Sequence, residues 1–549
     1  MENKKNDSLK SNKKLIKNKY VEPIITIGLS ILFAFVVLIS IQSMMGTKTV
    51  TITNNKAEEY YYDGKYDEAI NEYMTMQKED AWPIWTARVA EIYSIQGDIT
   101  QSNNLLKEAI VKRDKLMLEN GDEYLEQDKE LINEVVFTFY MNNDLEQAES
   151  LGEYYLESYN TYKPLLKTMF AVYLANDEKD LAKGIVNSYP VDKDSAYDLA
   201  TLAKMQIMIN DYDNGLENLR LSYEIDKNEI KSYDVIMEAC QFDKEKLLKK
   251  VTELSEENPK VEAYKAWINE INSFDEKNID FSKNVIDEIK NNINTDELEE
   301  DSYVDLYIKA WENYNKGQYD KAKEFANEAI LANSDYENTY GMLMPNILIA
   351  TENSDKIEGY IRKAIFNEPY NYNLIVNIAK LYEDKLSNLD KAKYYYDYAL
   401  TLNKNNDELY YDLALLNLKM DKVDDAILDL NKAIAIDEDK SDYYRALGTI
   451  YYNEKEYDKA IENIRKAYSL NEKNVLALNN AACYYITVDK DVWRAYSNIE
   501  SAYNDMPSSI DSESKKLITN NYNAIKKVYD KYVNDENTIV DVQGLELAY

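Results

Sequence analysis

The side chains that most often perform chemistry in proteins are scarce in this sequence. It contains no histidine and only two cysteines among 549 residues. Without histidine there is no Ser–His or Cys–His nucleophile pair, no imidazole base and no imidazole metal ligand. Cys240 and Cys483 are too far apart for a CxxC motif, so we interpret both as small buried residues.

Other motifs of catalysis and cofactor binding are also missing. No two glycines stand closer than 18 positions, which excludes the usual form of a phosphate loop or a dinucleotide fingerprint. The acidic runs at 211–215 and 437–442 lack the alternating ligands and the closing glutamate of a calcium loop. We therefore predict a protein that is not an enzyme, with no catalytic residue, no metal site and no cofactor.

Residues 24–45 are an apolar run without a charge. At about 1.5 Å per residue, a helix of this length is about 33 Å long and can cross a bilayer. A cleaved signal peptide is the alternative, but its apolar region is normally about 7–15 residues long. We predict an uncleaved signal anchor with its transmembrane helix at 23–45.

The distribution of charge predicts how the chain is oriented in the membrane and which classes of partner it can bind. Residues 1–22 carry seven lysines and three acids, whereas the whole chain has a net charge of -36. Lysine before the span places the N-terminus in the cytoplasm, so we expect a single-pass protein of the cell membrane with an extracytoplasmic body. Such an acidic body does not suit nucleic acid. Heavy use of Lys, Asn, Ile and Tyr suggests a bacterial source.

A short pattern recurs along the chain with a fixed period. Ala392, Ala426 and Ala460 are spaced by 34 residues, and seven positions after each stands another alanine. Two helical patterns fit in each period. A repeat of this kind predicts stacked helical hairpins, because one hairpin cannot bury its own apolar face and neighbouring copies can.

The sequence resembles the tetratricopeptide repeat (TPR) family. The copy at 441–474 has Tyr444, Leu447, Gly448, Tyr451 and Ala460 at the family's positions. Small residues at these positions let the two helices of a hairpin approach closely. The predicted packing positions are Ala322, Ala329, Ala364, Ala392, Ala399, Ala426, Ala433, Gly448, Ala460, Ala467, Ala495 and Ala502.

The resemblance implies an all-α, right-handed superhelical solenoid of helix-turn-helix repeats, preceded by one transmembrane helix. It is strongest toward the C-terminal half. The predicted parts are a basic segment (1–22), the span (23–45), a linker (46–56), N-terminal repeats (57–229), degenerate repeats (230–302), a well-matched array (303–510), a capping helix (511–534) and a tail (535–549). The segment 230–302 could instead be a joint between two arrays. The tail alternates apolar and polar residues, and either disorder or docking along a surface fits it.

In the family, the first helix of each hairpin lines a concave groove that holds an extended peptide or a helix. Carried over to this chain, the groove positions are Tyr307, Trp311, Tyr314, Met342, Asn346, Tyr411, Leu415, Arg445, Tyr452, Asn480 and Tyr484. The family's carboxylate clamp is not expected, because Tyr307, Glu408 and Asp412 stand where basic residues are needed. The acidic array favours basic or neutral protein partners.

The resulting hypothesis is a membrane-anchored scaffold or adaptor that binds other envelope proteins. Two alternatives remain open at this stage. The groove tyrosines could stack on a cell-wall polymer or glycan, or the chain could be an accessory subunit of an envelope enzyme.

Overall fold

The computed structural model describes residues 52–274, 290, 293–535 and 539–549, apart from the side chains of residues 120–123. The predicted basic segment at 1–22 and the predicted span at 23–45 lie outside the described residues, as does most of the linker. All regular elements of the described residues are helical. This agrees with a composition of only 13 glycines and 8 prolines, the two residues that most often interrupt helices.

The helices follow one another as antiparallel hairpins. In chain order α1 to α12 are Lys56–Tyr62, Tyr66–Glu79, Ile84–Ile95, Ile99–Met141, Leu145–Leu156, Lys163–Ala175, Lys179–Ser188, Ala196–Met208, Tyr212–Ile225, Ile230–Glu257, Glu262–Ser273 and Tyr303–Asn315. Helices α13 to α24 are Tyr319–Ala332, Met344–Ala350, Ile357–Asn367, Tyr372–Lys380, Leu389–Leu402, Asp407–Lys419, Val423–Ile436, Ser441–Asn453, Tyr457–Leu470, Val475–Tyr484, Val492–Asn504 and Ser512–Tyr532. Short 3₁₀ turns at Thr295–Glu297 and Ser354–Lys356 and π turns at Thr339–Leu343, Leu381–Lys385 and Tyr485–Asp489 complete the pattern.

The two helices of a hairpin are joined by the same kind of turn along the chain. A left-handed residue follows the first helix, as at Gly64 (φ 69°) and Lys455 (φ 63°). The next N–H then bonds to the carbonyl five residues earlier, from Glu456 to Tyr451 at 2.8 Å. This Schellman geometry satisfies carbonyl groups at the helix end. Left-handed residues recur at 143, 177 and 210 and again at 317, 352, 387, 421, 455 and 490, which is a spacing of 33–35 residues.

The twelve predicted packing positions are all buried. Gly448 shows why a small residue is needed there. A Cβ at this position would lie 2.8 Å from Ile464 Cγ1 and 3.2 Å from the carbonyl oxygen of Ala460. The close approach of α20 and α21 therefore depends on the missing side chain.

Two places depart from the regular hairpin. Helix α4 runs for 43 residues, so that its first part pairs with α3 and its last part with α5. Helix α10 is broken at Asp243, whose φ and ψ of -168° and 82° are not helical. The second departure lies in the segment 230–302, for which the sequence predicted degenerate repeats or a joint between two arrays.

The first helices of the N-terminal hairpins do not line an open groove. They pack against residues 339–402, which we call the central hairpins. A series of aromatic pairs marks this contact. The ring centroids lie 4.8 Å apart for Tyr62–Tyr360, 5.0 Å for Phe137–Phe366, 5.1 Å for Phe170–Tyr370 and 5.3 Å for both Phe242–Tyr372 and Tyr140–Tyr398. The chain thus fills the inner face of its own N-terminal array.

A buried charge cluster lies within this contact. We give this name to Lys204, Lys231, Glu238, Glu337 and Glu368. The Glu368 carboxylate accepts hydrogen bonds from both lysines at 2.8 Å, and Lys231 also bonds Glu337 at 2.5 Å. Two of its ion pairs, Lys231–Glu337 and Lys204–Glu368, join residues 106 and 164 positions apart in the sequence, so the cluster connects the N-terminal array to residues 337–368.

Within the described part of the chain, no helix combines the length and the apolar character that a membrane crossing requires.

Candidate peptide-binding groove

The predicted groove residues fall into two groups. Some are buried in the protein core, and others lie at a groove between the C-terminal helices. Tyr307 and Trp311 are 1% and 0% exposed, and their rings pack at the contact between α12 and Tyr336. They are core residues, so the prediction that they face a partner is wrong for this structure. Nearby, Tyr314 and Met342 are half-buried against the same core.

Asn346 is also used inside the protein. Its side-chain amide donates to the Met342 carbonyl at 2.9 Å and accepts from Lys385 at 3.1 Å. The first well-matched repeats therefore keep Tyr307, Trp311 and Asn346 inside the protein.

The C-terminal hairpins do form a groove, and it holds part of this chain. The first helices α20 and α22 and the final helix α24 lie side by side, and residues 539–549 run along them. We call these helices the C-terminal groove and residues 539–549 the tail segment. Of the predicted positions, Arg445 and Asn480 contact the tail segment directly.

Asn480 binds the main chain of one tail residue from both sides. Its amide oxygen accepts from the Ala548 N–H at 2.8 Å, and its amide nitrogen donates to the Ala548 carbonyl at 2.7 Å. Thr449 donates to the same carbonyl at 2.7 Å. Asn480 is fully buried, and a buried amide that satisfies both of its groups in this way is rigidly placed.

Asn521 repeats this arrangement two residues earlier in the tail segment. It accepts from the Glu546 N–H at 3.2 Å and donates to the Glu546 carbonyl at 2.7 Å. Asn479 donates to that carbonyl at 3.3 Å and also accepts from Asn521 at 2.8 Å. Residues two apart in an extended segment point the same way, so the two asparagines recognise an extended main chain.

Arg445 holds the last residue of the tail segment. Its Nε and Nη2 donate to the main-chain oxygen of Tyr549 at 3.1 and 2.8 Å, while Asp442 pairs with its Nη1. Asn453 donates to the Tyr549 hydroxyl at 2.7 Å. Arg445 is 6% exposed, and a charge-assisted hydrogen bond is strong in such a setting.

The remaining predicted positions border the C-terminal groove or lie elsewhere on the first helices. Tyr411 accepts from Arg445 at 3.4 Å and so lies beside the end of the tail segment. Tyr452 is hydrogen-bonded to Thr487 at 2.7 Å. Leu415 is half-buried and Tyr484 is 5% exposed; neither side chain is hydrogen-bonded to the tail segment.

Apolar side chains complete the contact. Val540, Val542, Leu545 and Leu547 are partly buried against the core that α22, α23 and α24 share. Val540 and Val542 flank the exposed Asp541, and Leu545 and Leu547 flank the exposed Glu546; the phase shifts by one residue between the two pairs, where Gly544 has a φ of 73°. Cys483 lies under the segment, fully buried, and burial raises the pKa of its thiol well above the usual range. Its thiol donates to the Glu546 carbonyl at 3.7 Å and otherwise packs as a small apolar residue.

Sequence reasoning missed Thr449, Asn479 and Asn521. Asn479 precedes a predicted groove position, and Asn521 belongs to the helix that was predicted only as a cap. The signal that could have located them was the alternating tail, since its pattern requires a surface with matching apolar and polar positions.

The buried charge cluster is the one group of carboxylates in the described residues close enough for a shared metal ion, through Glu238, Glu337 and Glu368. The two lysines occupy this place instead. Lys204 contacts Glu238 at 2.5 Å and Glu368 at 2.8 Å, and Lys231 contacts Glu337 and Glu368, so two buried lysines offset much of the negative charge of the three acids. Burial, together with the charge of Glu368, raises the pKa of Glu337 to about 8.

Comparison with known proteins agrees with the geometry. Two family models described as tetratricopeptide repeat match this chain, one at residues 306–336 and 407–440 and the other at residues 441–474. These segments are tetratricopeptide repeats. The third of them contains α20 and the groove residues Arg445 and Thr449. No curated protein matches the chain.

Solved structures similar to this chain include the following three. Pseudomonas aeruginosa pilF is 16% identical, with 40% of this chain and 96% of that chain covered and a TM-score of 0.30. The Cut9–Hcn1 hetero-tetramer of the APC/C is 12% identical, with 85% of this chain and 95% of that chain covered and a TM-score of 0.36. YrrB, described as a TPR protein with an unusual peptide-binding site, is 19% identical, with 34% of this chain and 93% of that chain covered and a TM-score of 0.27. At these scores the likeness carries no inference about function.

Proposed function

We propose that this protein is a non-catalytic scaffold that binds extended segments of partner proteins in its C-terminal groove. The observation that carries the proposal is the paired hydrogen bonding of Asn480 and Asn521 to an extended main chain. Peptide segments bound in this way gain affinity from main-chain hydrogen bonds, while pockets for alternate side chains give selectivity. The acidic composition of the chain favours basic or neutral partners.

A test requires a groove that the tail segment has left. The substitutions Glu546→Pro and Ala548→Trp, made together in the full chain, remove one main-chain donor and place a large side chain where Ala548 is 8% exposed. We call this chain the release variant. We expect it to bind a labelled synthetic peptide of residues 539–549, measured by fluorescence anisotropy.

Adding Asn480→Ala and Asn521→Ala to the release variant should then weaken peptide binding about 100-fold or more, because four hydrogen bonds of about 1 kcal/mol each are lost. Asn463→Ala is the matched control, since the Asn463 amide bonds only the Lys459 carbonyl of its own helix at 2.9 Å. Unchanged binding after the double asparagine substitution would refute main-chain recognition by the groove.

We further propose that the groove faces the outside of the cell, tethered by the predicted span. The apolar run at 24–45 and the lysines before it support this orientation. Ser497→Cys adds a thiol at an exposed position of α23, whereas Cys240 and Cys483 are buried. A membrane-impermeant maleimide should label this variant in intact cells at least about tenfold more than the unsubstituted protein. Labelling only after lysis would place the array in the cytoplasm.

A further inference from the structure

The tail segment supplies the groove's hydrogen-bonding partners almost entirely through its main chain. Glu546 and Ala548 each give both a main-chain N–H and a carbonyl to an asparagine. The Glu546 side chain is itself exposed. A different sequence could therefore form the same bonds, provided that it is extended over these positions.

Side-chain size is restricted at one point. Ala548 is buried at the place where Thr449 and Asn480 converge on its carbonyl. Because Ala548 is only 8% exposed, a larger side chain there would have to displace neighbouring atoms or lift the segment out of the groove. Leu545 and Leu547 are partly buried against the core, so apolar side chains are favoured at the alternate positions.

We propose that the tail segment is a built-in competitor that holds the C-terminal groove closed, and that the cognate partner presents an extended segment with a small residue at the place of Ala548 and apolar residues at the places of Leu545 and Leu547. This inference rests on the proposed function and adds its regulation. The partner must displace the tail segment, and the main chain that replaces it restores each hydrogen bond that was broken.

Attachment makes the tail segment an effective competitor. Only residues 533–538 separate it from the end of α24. A segment held by so short a connection acts at an effective concentration on the order of millimolar. A separate peptide of the same sequence at micromolar concentration would therefore lose the competition, although its contacts would be identical.

The experiment compares the unsubstituted chain with the release variant, using the labelled peptide of residues 539–549 as the probe. We expect binding to the release variant at least about tenfold tighter than to the unsubstituted chain. Glu546→Ala in the full chain is the control, because it keeps the N–H and changes only an exposed side chain; it should bind the peptide as weakly as the unsubstituted chain does. Circular dichroism checks that each variant remains folded.

The outcomes separate the two proposals. Equal binding of the peptide to the unsubstituted chain and to the release variant would overturn the closed groove and leave peptide recognition standing. No binding to a folded release variant would overturn the proposed function and this inference with it. A peptide carrying tryptophan in place of Ala548 should lose binding to the release variant, and unchanged binding of that peptide would overturn the size restriction.

Discussion

Replacing Lys231 with methionine is expected to lower the free energy of unfolding by about 3–5 kcal/mol, the cost of removing one partner from a buried ion pair. The Lys231 side chain is 0% exposed and contacts Glu337 and Glu368 at 2.5 and 2.8 Å. Methionine keeps a similar length and removes the charge. Glu337 would then lose its lysine partner and Glu368 one of its two, which leaves three buried carboxyl groups around Lys204.

Urea unfolding followed by circular dichroism measures this loss, and hydrogen exchange over residues 196–242 and 336–372 shows whether the contact opens first. Exchange is needed because repeat arrays can unfold in parts. Lys250→Met is the matched control. Lys250 pairs with Asp213 at 2.9 Å at the surface, where an ion pair contributes about 0–1 kcal/mol. Equal losses for the two variants would contradict the structural role of the buried charge cluster.

A second substitution tests whether the balance of charge stabilises the buried charge cluster. Burial raises the pKa of Glu337, whereas the two lysines hold the pKa of Glu368 below its usual range despite burial. Glu368 keeps its charge because both lysines contact it. Adding Glu368→Gln to Lys231→Met removes the surplus negative charge, and it should recover part of the stability lost in the single variant.

The hairpins could be predicted from the sequence because their packing is local. The alanine at the close approach of two helices, such as Ala426 or Ala460, recurs with the 34-residue period, and the same turn geometry recurs with it. Because each repeat packs on its neighbours, the residues at these contacts recur with the same period along the chain. This period is lost near the break at Asp243, and the repeats could not be recognised there.

The contact between the N-terminal array and the central hairpins produces no periodic pattern in the sequence. Lys204 and Glu368 are 164 residues apart, and nothing in the period links them. In a chain with 100 acidic residues, Glu337 and Glu368 look like ordinary surface acids. The same holds for Phe137 and Phe366, whose rings pack edge to face, since each resembles an ordinary residue of its own repeat.

The candidate groove could be located only in part for the same reason. The family positions include Arg445 and Asn480, which contact the tail segment, because hairpin geometry alone determines the face of the first helix on which a position lies. They could not reveal that the tail segment returns to these helices. Asn521 belongs to α24, which has no repeat position, and its role depends on the segment that it binds.

Replacing Trp311 with alanine distinguishes the sequence interpretation from the structure. A groove anchor that is truncated weakens partner binding and leaves stability nearly unchanged. A core residue does the opposite, and Trp311 is fully buried, with its ring edge to face with Tyr314 at 5.4 Å and Tyr307 at 6.3 Å. We therefore expect Trp311→Ala to lower the free energy of unfolding by about 3–5 kcal/mol, the usual cost of deleting a buried aromatic side chain.

Trp493→Ala is the control for this variant, because Trp493 is 55% exposed and packs only edge to face with Tyr529 at the surface. Its loss should lower stability by about 1 kcal/mol or less. Urea unfolding compares the two. A Trp311→Ala chain as stable as Trp493→Ala would place Trp311 back in an open groove. The alternative outcome is a large loss of stability in Trp311→Ala, together with unchanged peptide binding when the release variant carries this substitution. That outcome would assign peptide recognition to the C-terminal groove, where Asn480 and Asn521 bind the main chain.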